Sequence, residues 1–97
     1  MEKNKVRSIT ARMVSEMLER VIALNDAKEN SKVFYVFEFS GCVNSVTFNK
    51  FIDTGTDLEY AFSAYAYLDE GDDLGHPLSK IEQLIAYEEM MQREAQK

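Results

Sequence analysis

Between positions 9 and 24 the apolar residues fall at helical spacing. Ile9, Met13, Met17 and Val21 stand four apart, Val14, Leu18 and Ile22 lie beside them, and Leu24 completes a broad stripe. This predicts a first helix capped at its start by the side-chain oxygen of Ser8 or Thr10, with residues 1–7, polar apart from Val6, as a frayed lead-in. Glu16 and Arg20 form an i,i+4 ion pair on the opposite face, and the polar stretch Asn25–Asn30 ends the helix.

From Val33 the period drops to two. Val33-Phe34-Tyr35-Val36-Phe37-Glu38-Phe39 is β-branched and aromatic, and a second alternating run from Cys42 to Ile52 follows the break at Ser40-Gly41. The pair reads as a hairpin turning either at Ser40-Gly41-Cys42 or at Asn44-Ser45. Any two-residue turn in that window keeps the same parity, so Val33, Tyr35, Phe37 and Phe39 share a face with Val46 and Phe48. Glu38 marks the other face as the wet one. Asp53-Thr54-Gly55-Thr56-Asp57 is a loop by composition, and Leu58, Tyr60, Phe62, Ala64, Ala66 and Leu68 resume the alternation as a third strand. Symmetric closure of the loop pairs Ile52 with Leu58, Phe48 with Phe62 and Val46 with Ala64, all on the buried face.

After the charged turn Asp69-Glu70-Gly71-Asp72-Asp73, the tetrad Ser79-Lys80-Ile81-Glu82 matches a capping box. A second helix therefore begins near Lys80 and buries Ile81, Leu84, Ile85 and Met91. Glu88 falls in the same arc, which places the final turn beyond the sheet edge, in solvent. The resulting fold class is α+β: an α-β-β-β-α order in which two helices pack on one face of a three-stranded antiparallel meander. The expected core is Met13, Met17, Val21, Leu24, Val33, Tyr35, Phe37, Val46, Phe48, Tyr60, Phe62, Ile81, Leu84 and Ile85. The element order is similar to that of the double-stranded RNA-binding domain. That family has a basic start to its second helix, whereas here Ser79-Lys80-Ile81-Glu82 follows an acidic turn, so the resemblance implies architecture and not RNA binding.

At 97 residues the chain has the length of one domain. The single cysteine, Cys42, leaves no internal disulfide, and no run approaches the ~18 apolar residues of a membrane span, so the expectation is a cytoplasmic protein without membrane contact. The net charge of −6 is unevenly spread: residues 1–32 hold seven Lys/Arg against five Asp/Glu, and residues 69–97 hold three against eight. Such a surface repels phosphate backbones, and direct nucleic-acid binding is not expected.

Chemistry-bearing patterns are sparse. The run Asp69, Glu70, Asp72, Asp73 lacks the alternate ligand spacing and terminal Glu of a calcium loop, and so reads as a solvated turn and not a metal site. Cys42 and His76 are single of their kind, with no third group to orient a nucleophilic pair; a half-buried cysteine and a turn histidine are expected. The four glycines are scattered singly among turns, so there is no phosphate-cradling loop and no cofactor site. No catalytic residue is assigned, and an enzyme is not expected.

The outer sheet face is more informative. By parity it carries Phe34, Val36 and Glu38 on the first strand, Ser45, Thr47, Asn49 and Phe51 on the second, and Glu59, Ala61, Ser63, Tyr65 and Tyr67 on the third. With both helices on the opposite face, Phe34, Val36, Phe51, Tyr65 and Tyr67 make an apolar patch large enough to expect burial against another protein or a second copy of the chain. The first functional expectation is thus a small acidic binding or accessory module. The alternative is an inhibitor whose carboxylates, Asp69, Glu70, Asp72 and Asp73 continuing to Glu82 and Glu89, imitate the phosphates of nucleic acid in the basic groove of a DNA- or RNA-handling enzyme.

Overall fold

The computed structural model describes residues 2–28, 31–42, 44–68 and 78–95, with side chains from residue 11 onward. Five elements follow in the order α1 (Glu2–Ala27), β1 (Val33–Ser40), β2 (Ser45–Asp53), β3 (Leu58–Tyr67) and α2 (Ser79–Ala95). The strands form one antiparallel sheet in the order β1-β2-β3. α1 packs on β1 and on α2, and α2 also reaches β3. The α+β meander with two helices on one face is therefore the architecture.

α1 begins at Glu2, not after a frayed lead-in, so Ser8 and Thr10 lie inside the helix and do not cap it. Residues 2–7 contain Glu, Lys and Arg and no Gly or Pro, a composition that extends a helix without needing a buried stripe. Arg20 turns from its neighbour Glu16 to α2, where the Glu89 carboxylate accepts from its Nε at 3.1 Å and its Nη2 at 2.6 Å. A two-pronged guanidinium–carboxylate contact is stronger than a single-pronged pair along one exposed helix face.

The β1–β2 connection spans residues 41–44 and is closed by Ser40 opposite Ser45. Asn44 takes the left-handed conformation there at φ 51°, one that Asn tolerates better than a β-branched residue. The parity holds, with Phe37 opposite Phe48 and Phe39 opposite Val46. The second hairpin differs from symmetric closure. Phe48 faces Ala64 and Val46 faces Ala66, while Lys50 faces Phe62 but the next residue, Phe51, faces Tyr60. Ala61 is thus the extra residue of a β-bulge, and beyond it the faces of β3 exchange. Tyr60, expected in the core, is 62% exposed on the outer face. Glu59 and Ala61 leave the outer-face row to which simple alternation assigned them.

The core joins Met17, Val21 and Leu24 of α1, Tyr35, Val46, Phe48 and Ala66 of the sheet, and Ile81 and Ile85 of α2. Leu78 is fully buried, and its carbonyl accepts from Glu82 N–H at 2.9 Å. Leu78, not Ser79, therefore takes the N-cap position, one residue before the expected capping box; burial of Leu78 anchors the helix start. Met91, expected inside, is 47% exposed; Ile52 is exposed at one end of the inner sheet face, and Leu58, carried across with Tyr60 by the bulge, is exposed on the outer one. The helices cover the middle of the sheet and leave its ends bare.

Candidate functional site

The outer face forms by strand alternation on the side away from the helices. Register arranges it in four rows: Phe34, Phe51 and Tyr60; Val36, Asn49 and Ser63; Glu38, Thr47 and Tyr65; Ser40, Ser45 and Tyr67. Aromatic groups thus occupy both ends of the face. At one end the rings of Phe51 and Tyr60 lie 4.4 Å apart, and Lys28 Nζ sits 4.0 Å from the centre of the Phe34 ring. At the other, Tyr65 and Tyr67 meet edge to face at 5.6 Å.

Of the five residues expected to bind a partner, Phe34, Tyr65 and Tyr67 are exposed, and Val36 and Phe51 are half-buried between neighbouring side chains. Register brings all five onto one surface. Tyr60 joins them through the bulge, which period-two reasoning cannot place. Asn49, in the central strand, is 9% exposed, and its buried Oδ1 has no hydrogen-bond partner among the described residues. A buried, unpaired amide oxygen costs about 1–3 kcal/mol of desolvation, which a fold built for stability alone would remove.

The acidic alternative is placed differently. Asp69, Glu70, Asp72 and Asp73 lie outside the described residues. Glu89 is held by Arg20, and Glu82 lies 4.0 Å from the same guanidinium. The Arg20 hydrogen bonds hold the Glu89 carboxyl below its usual range against the opposing effect of burial, and they raise the guanidinium above its own. Both carboxylates thus face α1 and share one cation.

Glu88 is not solvated at the end of a protruding turn; it is 5% exposed within the helix–sheet layer. Lys50 Nζ donates to its Oε1 at 2.7 Å, and the Tyr35 hydroxyl donates to the same oxygen at 2.9 Å. Burial first, and then the hydrogen bond to Glu88 and its charge, push the Tyr35 hydroxyl well above its usual value. Two charges at inward-facing positions, Lys50 by strand parity and Glu88 by helical spacing, were the available signal for this cluster. Three partners satisfy one another there, an arrangement that orients α2 over the sheet.

Cys42 is exposed in the β1–β2 turn, not half-buried, and His76 lies outside the described residues. No group of three His, Cys, Asp or Glu among the described residues is arranged to hold a metal ion. A shallow groove of about 260 Å³ between the helices is lined by Arg20, Leu24, Glu89 and Gln92 among others. Within it Arg20 and Glu89 engage each other, and Gln92 donates to the Leu24 carbonyl. Among the described residues no helix is long and apolar enough to cross a membrane. No family model, curated protein or solved structure matches this chain.

Proposed function

We propose that this chain is a small non-catalytic binding module that docks a protein partner on the outer sheet face through Phe34, Phe51, Tyr60, Tyr65 and Tyr67. The observation that carries this reading is the exposure of Tyr60 at 62%, Tyr65 at 68%, Tyr67 at 41% and Phe34 at 39% on one face of a sheet whose opposite face is packed. Aromatic side chains bury large area at small conformational cost, and they concentrate where binding energy is strongest. The face carries little charge beyond Glu38 and the flanking Lys28, which fits a protein surface better than a nucleic-acid backbone.

The test compares wild type with Phe34→Glu and Tyr65→Glu, each immobilised and exposed to host lysate. The expected result is a protein captured by wild type and lost from both variants, whose circular dichroism remains native. A capture profile that both folded variants keep unchanged removes the outer face from the interaction.

A further inference from the structure

We infer that residues 37–40 of β1 accept a fourth strand from a partner protein, an extended segment that carries a basic residue opposite Glu38 with an apolar residue on each side of it. The inference concerns the edge of the sheet and stands apart from the outer-face reading.

Half of this edge is closed and half is open. The Asn25 side chain takes both backbone groups of Tyr35: its Nδ2 donates to the carbonyl at 2.8 Å, and its Oδ1 accepts from the N–H at 3.0 Å. Lys28 donates to the Val33 carbonyl beside them. Tyr35 therefore turns its N–H and C=O away from β2, and because the β1–β2 register is unbroken, Phe37 and Phe39 turn theirs the same way. Among the described residues no hydrogen bond reaches those groups from off the sheet. Glu38, Phe39 and Ser40 are all exposed, Phe39 at 54%. A strand end with unpaired backbone groups is a template for strand addition.

α1 supplies cover for the added strand. The contacts of Lys28 with Val33 and of Asn25 with Tyr35 make helix and strand antiparallel, so earlier turns of α1 run toward residues 37–40. Leu18 stands seven residues before Asn25, two turns along on the same face, and the rise of about 10 Å matches the three residues from Tyr35 to Glu38. It is 42% exposed, and Ile22 beside it is 52% exposed. Side chains opposite Phe37 and Phe39 fall on this helix side, toward Leu18, which selects apolar residues there. The one opposite Glu38 falls on the outer face.

Glu38 fixes the sign of the charge. It has no ion pair among the described residues, and it is the one charged side chain in the four rows of the outer face. In an antiparallel addition that bonds Phe37 and Phe39, the residue opposite Glu38 occupies a non-hydrogen-bonded pair, where side chains come closest. A Lys or Arg there completes an ion pair. The same geometry disfavours a second copy of this chain, because the register that bonds Phe37 and Phe39 of both chains sets Glu38 against Glu38. The occupant is thus a basic segment of another protein, whose approach the net charge of −6 assists.

The probe is the peptide acetyl-Ser-Thr-Val-Lys-Val-Thr-Ser-amide, with the same peptide carrying Glu in place of Lys as its control, and the readout is hydrogen exchange of the Phe37 and Phe39 amides by NMR. With the Lys peptide at about 1 mM, exchange at both amides of wild type should slow at least about tenfold, while the Glu peptide leaves it unchanged. Glu38→Lys should reverse the two preferences. Phe34→Glu should keep them as in wild type, which separates this edge from the outer face. The proposal is overturned by amides that the Lys peptide leaves unprotected, by protection that ignores the charge at position 38, or by protection lost in folded Phe34→Glu. A peptide-free wild type that is dimeric, with both amides already protected, overturns it in favour of a second copy. Should Glu38→Lys fail to fold, the two peptides on wild type decide.

Discussion

Lys50 Nζ lies 2.7 Å from Glu88 Oε1 between β2 and α2, where the Glu88 side chain is 6% exposed and that of Lys50 is 25% exposed. The strand residue and the helix residue are each the other's compensation for leaving water. Lys50→Met leaves Glu88 buried without its cation and should cost roughly 3 kcal/mol in urea denaturation. The double variant Lys50→Met/Glu88→Met should cost clearly less than the sum of the single changes. Additive losses would show that the pair is not coupled.

Tyr35 supplies an alkaline signature. Folding raises its pKa, so the stability it contributes is fully present below the unfolded value of about 10 and is lost as pH rises toward the folded one. Phenolate absorbance should show one of the five tyrosines ionising last, together with unfolding. In Tyr35→Phe the fall in stability above pH ~10 should be shallower than in wild type. An equal slope in the two proteins would contradict the burial and hydrogen bond described for Tyr35.

The Arg20–Glu89 contact supplies the acid counterpart. Because Glu89 titrates below its usual range in the folded chain, its contribution is present above the unfolded value of about 4.3 and fades as pH falls through the folded pKa. Glu89→Gln should cost about 0.5–1 kcal/mol at neutral pH and low salt, since both groups are partly solvated. That difference should vanish in strong acid and shrink in high salt.

Asn49→Val should raise stability by about 1 kcal/mol, because it removes a buried oxygen that has no partner and adds a strand-favouring side chain. Thermal unfolding measures this directly. If the outer face docks a partner over Asn49, the same change should weaken capture while the fold gains stability, a divergence that a merely structural residue would not show.

Two ring truncations test the packing. Phe48 is fully buried, so Phe48→Ala should cost about 3–5 kcal/mol. Tyr60→Ala, on the outer face against Phe51, should cost less than about 1 kcal/mol. Similar losses at the two positions would place Tyr60 back in the core.

The sequence by itself determined the element types and order and most of the core. Those follow from local period: four-residue recurrence of Met13, Met17 and Val21 on one helix face, and two-residue alternation through Tyr35, Phe37 and Phe39. The shared surface of Phe34, Val36 and Phe51 was legible for the same reason, since parity in the first hairpin survives any even-length turn; Tyr65 and Tyr67 join it because the bulge at Ala61 offsets the four-residue second turn. Tertiary structure alone decided what depends on a second element. The bulge at Ala61 is a register choice between β2 and β3, and it moves Tyr60 across the sheet although the alternation around it is unbroken. Leu78 displaces Ser79 from the N-cap because the core holds it in place. Glu88 is buried and Glu89 is paired because Lys50, Tyr35 and Arg20, distant in sequence, are brought to them by the packing of α2. A charge reads as solvated from its own segment, and only the approach of its partner makes burial affordable.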